Sequence, residues 1–190
     1  MLAPGLPSAR AAEASYVGAV PVERIERRLH YIVNAADAPG LAREMAERGP
    51  QHPTGRRAWA YTAWELRSRY ALEREGRSCR LLDPAVVLEV RTTLPRWEPK
   101  AVASSRLRSS WRRMLDRATV HEEEHRLHAL DAARAAAIAI AAVPDRGDCR
   151  AIEAQVRSAL RRASAEAMRR SRVFDRTTDY GRLQGVRLAD

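Results

Sequence analysis

Apolar and charged residues alternate between Trp64 and Tyr70. Trp64, Leu66, Ser68 and Tyr70 share one side of an extended backbone, with Glu65, Arg67 and Arg69 on the other. That period of two predicts a half-buried strand. Residues 28–33 predict a strand before it. Residues 86–90, rich in β-branched side chains, predict one after it that stops near Leu94-Pro95. Gly76 marks a turn within residues 73–78, so the second and third strands are expected to pair antiparallel. Between the first two strands, Asp37 is placed to cap a short helix with Pro39 near its start and Leu41 and Met45 on one face. Gly49-Pro50 ends it, and residues 51–57 read as a polar loop.

After residue 103 the period changes. Residues 104–143 contain neither Pro nor Gly. Trp111, Met114, Leu115, Ala118, Glu122, His125, Ala129 and Ala132 recur at steps of three and four. Pro144 and Gly147 break this helix. A second is predicted over residues 148–172, with Ile152, Val156, Ala159, Leu160, Ala163 and Ala167 on its apolar side. The short break implies an antiparallel hairpin. Residues 173–190 read as an irregular tail. The fold class is therefore α+β: a small antiparallel sheet with one short helix, packed on a long helical hairpin.

Composition adjusts this picture little. The 190 residues carry a formal net charge of +10, and Lys100 is the only lysine. The arginines are interleaved with acidic residues and form no single-sign stripe, so no specific nucleic-acid partner is expected. Loose attraction to anionic envelope polymers is expected instead. No apolar run is long enough for a membrane-spanning helix. Ala9-Arg10-Ala11 has the small-x-small pattern of a signal-peptidase site, although the charged and apolar regions of a full signal are missing before it. Residues 1–14 are read as a signal-peptide remnant or a flexible tail. Export and an even cysteine count suggest a disulfide between Cys79 and Cys149; two unpaired buried thiols are the alternative.

The chemistry concentrates in His121-Glu122-Glu123-Glu124-His125. On a helix the two histidines lie about 40° apart around the axis and about 6 Å along it, so both imidazoles reach one ion. A zinc ion lowers the pKa of a bound water, and Glu122 can take its proton during attack on a carbonyl. The competing reading is a solvated acidic helix face with incidental histidines. His128 lies one turn too far along to share the ion and reads as a supporting or surface residue. The third ligand must come from elsewhere. Glu153 and Glu166 on the second helix, or Asp175, Asp179 and Tyr180 in the tail, are the candidates.

These residues resemble a bacterial family of predicted secreted zinc-dependent proteases, long catalogued as a domain of unknown function. The likeness runs from Tyr31-Ile32-Val33 through Gly49-Pro50, Trp64, Tyr70, Cys79, Leu94-Pro95-Arg96-Trp97, Trp111 and Cys149. The tail, Phe174-Asp175 through Thr178, Gly181 and Gln184-Gly185, resembles the family's ending. Tyr180 stands where the family carries histidine, and a neutral tyrosine is a poor zinc ligand. Its hydroxyl can instead hydrogen-bond an oxyanion.

The resemblance implies a single zincin-like domain over residues 15–190. It comprises a sheet region (15–100), a helical hairpin (101–172) and an active-site tail (173–190). It implies Zn(2+) held by His121, His125 and Asp175, with Glu122 as general base, Tyr180 as electrophilic donor, and a Cys79–Cys149 disulfide. The expected activity is a secreted or periplasmic metallopeptidase cleaving a peptide or protein. A non-catalytic envelope binding protein with a degenerate metal site is the rival expectation.

Overall fold

The computed structural model describes residues 13–17, 20–52, 55–99 and 101–189. Among them the elements run β1 (Glu13–Val17), β2 (Val20–Val33), α1 (Ala38–Arg48), β3 (Tyr61–Glu75), β4 (Ser78–Trp97), α2 (Ser105–Ala141), β5 (Arg146–Gly147) and α3 (Cys149–Thr177), followed by a 3-10 turn at Arg182–Gln184. The α+β architecture expected from the sequence is the one that forms: a sheet packed on a helical hairpin, with one short helix.

The strand order is β1-β2-β4-β3, with β5 paired to β4. β3 and β4 form the expected antiparallel hairpin. Glu75 pairs with Ser78, and Gly76, at φ 61°, supplies the left-handed residue that a two-residue loop requires. One detail of the sheet corrects the sequence reading. β2 runs parallel to β4, from Val22 opposite Val86 to Val33 opposite Trp97, so the sheet is mixed. After β2 the chain makes α1 and a loop, skips one strand position and returns as β3. β4 then folds back into the gap beside β2 and runs in the same direction as it.

The strands are longer than the alternation suggested. β4 continues through Pro84 and Pro95. At the first, Tyr70 faces both Asp83 and Pro84 across a bulge, with Asp83 at φ 47°. At the second, β4 has already passed Tyr61, the first residue of β3, so no ladder bond on that side is lost. β2 begins at Val20 because its charged stretch, residues 23–28, is strand as well. Residues 1–12, where the signal-peptide reading falls, lie outside the described residues. Glu13 and Ala14, assigned with them, belong to β1, so the sheet begins before Ser15.

Two cores meet along α2, which is capped by Ser104 accepting from the Leu107 amide. Its 37 residues span about 55 Å. The first half packs Leu107, Trp111, Met114 and Ala118 against Val33 and the α1 residues Leu41 and Met45. The second half packs Ala129, Ala133, Ala136, Ala137 and Ile140 against Val86, Leu88 and Val90 of β4 and Ile152 and Val156 of α3. Each fully buried Leu, Ile or Met side chain contributes roughly 1.5–3 kcal/mol. The helix is thus held at both ends, and residues 119–128 cross the seam between the cores. The Cys79–Cys149 disulfide joins the start of β4 to the first residue of α3, as the sequence led one to expect, and β5 pairs beside it. No helix among the described residues is long and apolar enough to cross a membrane.

Candidate metal centre

At the seam the buried stripe of α2 turns polar. His121, Glu122 and His125 are 6%, 5% and 9% exposed, which for a charged or polar side chain requires a partner. The partner comes from α3. This helix does not stop near Arg172 as its pattern suggested but continues to Thr177. No Gly or Pro interrupts it, and Phe174 lays its ring on His121 at 4.8 Å and 22°. Asp175 therefore projects from the last turn of a helix, not from a loop. Its Oδ1 lies 3.0 Å from His125 Nε2 and 3.3 Å from His121 Nε2, and the two ring nitrogens are 3.3 Å apart.

That triangle has the dimensions of a metal site. Four-coordinate zinc with bonds of about 2.0–2.1 Å places its ligands about 3.3–3.4 Å apart. The tautomer agrees. His121 Nδ1 lies 2.7 Å from Gln184 Oε1, an acceptor only, so the Nδ1–H donates there. In the neutral ring, Nε2 then presents a lone pair to the Asp175 carboxylate. Facing lone pairs repel unless a cation or proton lies between them. These three residues could hold one metal ion.

The tail fixes this arrangement. Gln184 ends a 3-10 turn bounded by Gly181 and Gly185, both left-handed (φ 81° and 94°). A Cβ on Gly181 would lie 2.8 Å from Val186 Cγ2, so any other residue would strain the turn. Val186 and Leu188 pack on the core around Trp111, and the Ala189 amide donates to Ser110 Oγ at 2.8 Å. The tail is therefore pinned on both sides of Gln184.

Electrostatics single out Glu122. Burial raises its carboxyl pKa, although the neighbouring His125 pulls the other way, and its Oε2 is buried without a hydrogen-bond partner among the described residues. Thr62, at the start of β3, holds the Glu122 backbone carbonyl at 3.3 Å. Burial would lower the His121 pKa, but its bonds to Asp175 and Gln184 outweigh this and raise it. Burial likewise opposes ionisation of Asp175, yet the two imidazoles hold its pKa far below the usual carboxylate range.

The profile of a family described as "Bacterial protein of unknown function (DUF922)" matches residues 29–181. The chain belongs to this family. The match takes in His121, Glu122, His125, Asp175 and Tyr180, and it ends before Gln184. No curated protein matches the chain, and neither does any solved structure.

In this DUF922 chain the other residues read from the sequence fall as follows. Tyr180, at φ 52° and 56% exposed, lines the cleft above the triangle and meets His52 edge-on at 6.5 Å. Asp179 turns to Arg182, Glu153 to Arg157 and Glu166 to Arg169, so none of these alternatives joins the two histidines. His128 is not a surface residue. It is buried against Ser171 Oγ at 3.0 Å and supports the α2–α3 contact.

Three contributors escaped the sequence reading of this DUF922 protein. Gln184 is visible in the tail, but the sequence alone gives it no role. Tyr61 lies at the first position of β3, three residues before the strand was expected, and lines the cleft beside Glu122. Its phenol pKa is raised by burial and then by Glu122 and Asp175, which keeps the hydroxyl a donor. His52, in the polar loop, lines the same cleft. No sequence spacing connects a loop residue to a site some seventy positions away; only the fold does.

Proposed function

We propose that this protein is a secreted zinc-dependent metallopeptidase that hydrolyses a peptide or amide bond. The observation that carries this reading is the His121–His125–Asp175 triangle with the unpartnered Glu122 Oε2 beside it. His121, His125 and Asp175 would hold the ion. Zinc, when bound, supplies a Lewis acid that activates water and polarises a carbonyl. The chain's own groups do the rest. Glu122, next to His121 on the same helix, takes a proton from the attacking water and returns it to the leaving amine. Its raised pKa suits a group that must both accept and release that proton. Tyr61 and Tyr180, both lining the cleft, are the donors available to a developing oxyanion. Phe174, stacked on His121, shields the ligand set. Location outside the cytoplasm is supported by the disulfide.

The test is hydrolysis of an unbiased peptide mixture followed by mass spectrometry. Zinc-loaded wild type should cleave it. Glu122→Gln should keep zinc and lose at least about a hundredfold in rate, the contribution usual for a general base. A Glu122→Gln protein with zinc and full activity would remove Glu122 from the mechanism. A wild type that binds zinc and cleaves nothing would favour the non-catalytic reading.

A further inference from the structure

The cleft over the triangle encloses about 750 Å³, and its charges are segregated. Glu122 and Asp175, at the floor, are the only carboxylates among the described residues that line it. Arg56 and Arg57 reach the mouth from the loop between α1 and β3, and Arg182 and Arg187 reach it from the tail. Elsewhere a number of the arginines are paired with carboxylates, as in Arg67–Glu89, Arg126–Glu123 and Arg146–Glu75. At the mouth, Arg57 donates to the Gly49 carbonyl at 2.7 Å and Arg182 lies 3.5 Å from Asp179. Arg56 and Arg187 have no carboxylate within ion-pair distance among the described residues.

Two further features describe the ligand. Trp59, Ala60 and Val186 give the cleft an apolar wall. β3 pairs on one side only among the described strands, and Tyr61 at its start lines the cleft. An unpartnered strand edge offers backbone groups to an extended peptide. A simple polyanion would use the arginines but neither of these.

We propose that the cleft takes acidic peptides. An extended segment lies over the triangle, and Asp or Glu side chains flanking the bond are held by Arg56 and Arg187. The position of that bond rests on the peptidase reading; recognition of the acidic side chains does not.

The test uses fluorescence anisotropy with zinc-loaded Glu122→Gln protein and a labelled peptide alternating Glu with Leu, beside its Gln-for-Glu counterpart. The Glu peptide should bind about three- to tenfold tighter at low salt, the yield of two exposed charge contacts, and the gap should close as salt is added. The Arg56→Gln/Arg187→Gln double variant should bring the Glu peptide down to the Gln peptide while zinc content stays unchanged. Equal affinities in the parent protein overturn the proposal. So does a preference that survives in the double variant, and so does inorganic polyphosphate binding more tightly than the Glu peptide. In wild type, cleavage of both peptides at equal kcat/KM removes this inference and keeps the peptidase. Selective binding without any cleavage keeps the acidic-peptide ligand and removes the peptidase.

Discussion

His121 Nδ1 donates to Gln184 Oε1 across 2.7 Å, joining the middle of α2 to a turn 63 residues later. This bond decides which nitrogen faces Asp175. Partners of this kind orient a ligand and raise its basicity, and their loss usually costs about 10–100-fold in metal affinity. Gln184→Leu should weaken zinc by that factor, measured against a competing chelator. Gln184→Glu, which keeps an acceptor oxygen, should retain most of the affinity. A Gln184→Leu protein with wild-type affinity would show that the tail does not orient His121.

The turn itself depends on Gly181. Its left-handed conformation costs any residue with a Cβ about 1–2 kcal/mol, and the contact with Val186 adds to that. Gly181→Ala should lower the melting temperature and weaken zinc together, because the same displacement frees Gln184. Gly55, also left-handed but with open space around it, is the control. Gly55→Ala should affect stability alone.

Zinc and protons compete at this site, with a definite sign. In the metal-free protein the His121 pKa is raised, so the ring's stabilising contribution is complete below about pH 6.5 and is lost as the pH rises through its folded value. Glu122, raised by burial, acts in the same direction. Asp175, whose pKa is lowered, stabilises above about pH 4 and loses that contribution only as the pH falls through its folded value. Zinc must displace the His121 proton, so its binding strengthens with rising pH. The rise in melting temperature on adding zinc should therefore grow between pH 5 and pH 8. A constant increment would contradict the assigned ligand.

The disulfide should matter to the fold more than to the chemistry. It closes a loop with a sequence separation of 70, which corresponds to about 4 kcal/mol in the chain-entropy account. The Cys79→Ser/Cys149→Ser pair should lose about 2–4 kcal/mol in denaturant unfolding while zinc stoichiometry below the transition is unchanged. Free-thiol titration of denatured, unreduced wild type should find none.

The legible and illegible parts of the chain differ for physical reasons. The α2 pattern could be read because a helix places residues 121, 122 and 125 by its own geometry, independent of anything else in the fold. The hairpin could be read because Pro144 and Gly147 interrupt a long apolar period. The parallel pairing of β2 with β4 could not, because register depends on where the chain goes after α1 and leaves no local trace. Resemblance points to Asp175, yet its placement on the last turn of α3 follows from Phe174 docking on His121, a tertiary contact. Tyr61 and His52 reach the cleft only through the β3 and loop positions that the sheet fixes. The charged stretch of β2 concealed a strand because charge on an exposed face carries no apolar period.

The central claim is that His121, His125 and Asp175 together hold one metal ion. It is tested most directly by elemental analysis after zinc loading and gel filtration of wild type, His121→Ala, Asp175→Ala and Glu122→Gln. The account predicts about one zinc per chain in wild type and Glu122→Gln, and little in the other two. Wild type without zinc at neutral pH, or Asp175→Ala retaining it with unchanged affinity, would contradict it.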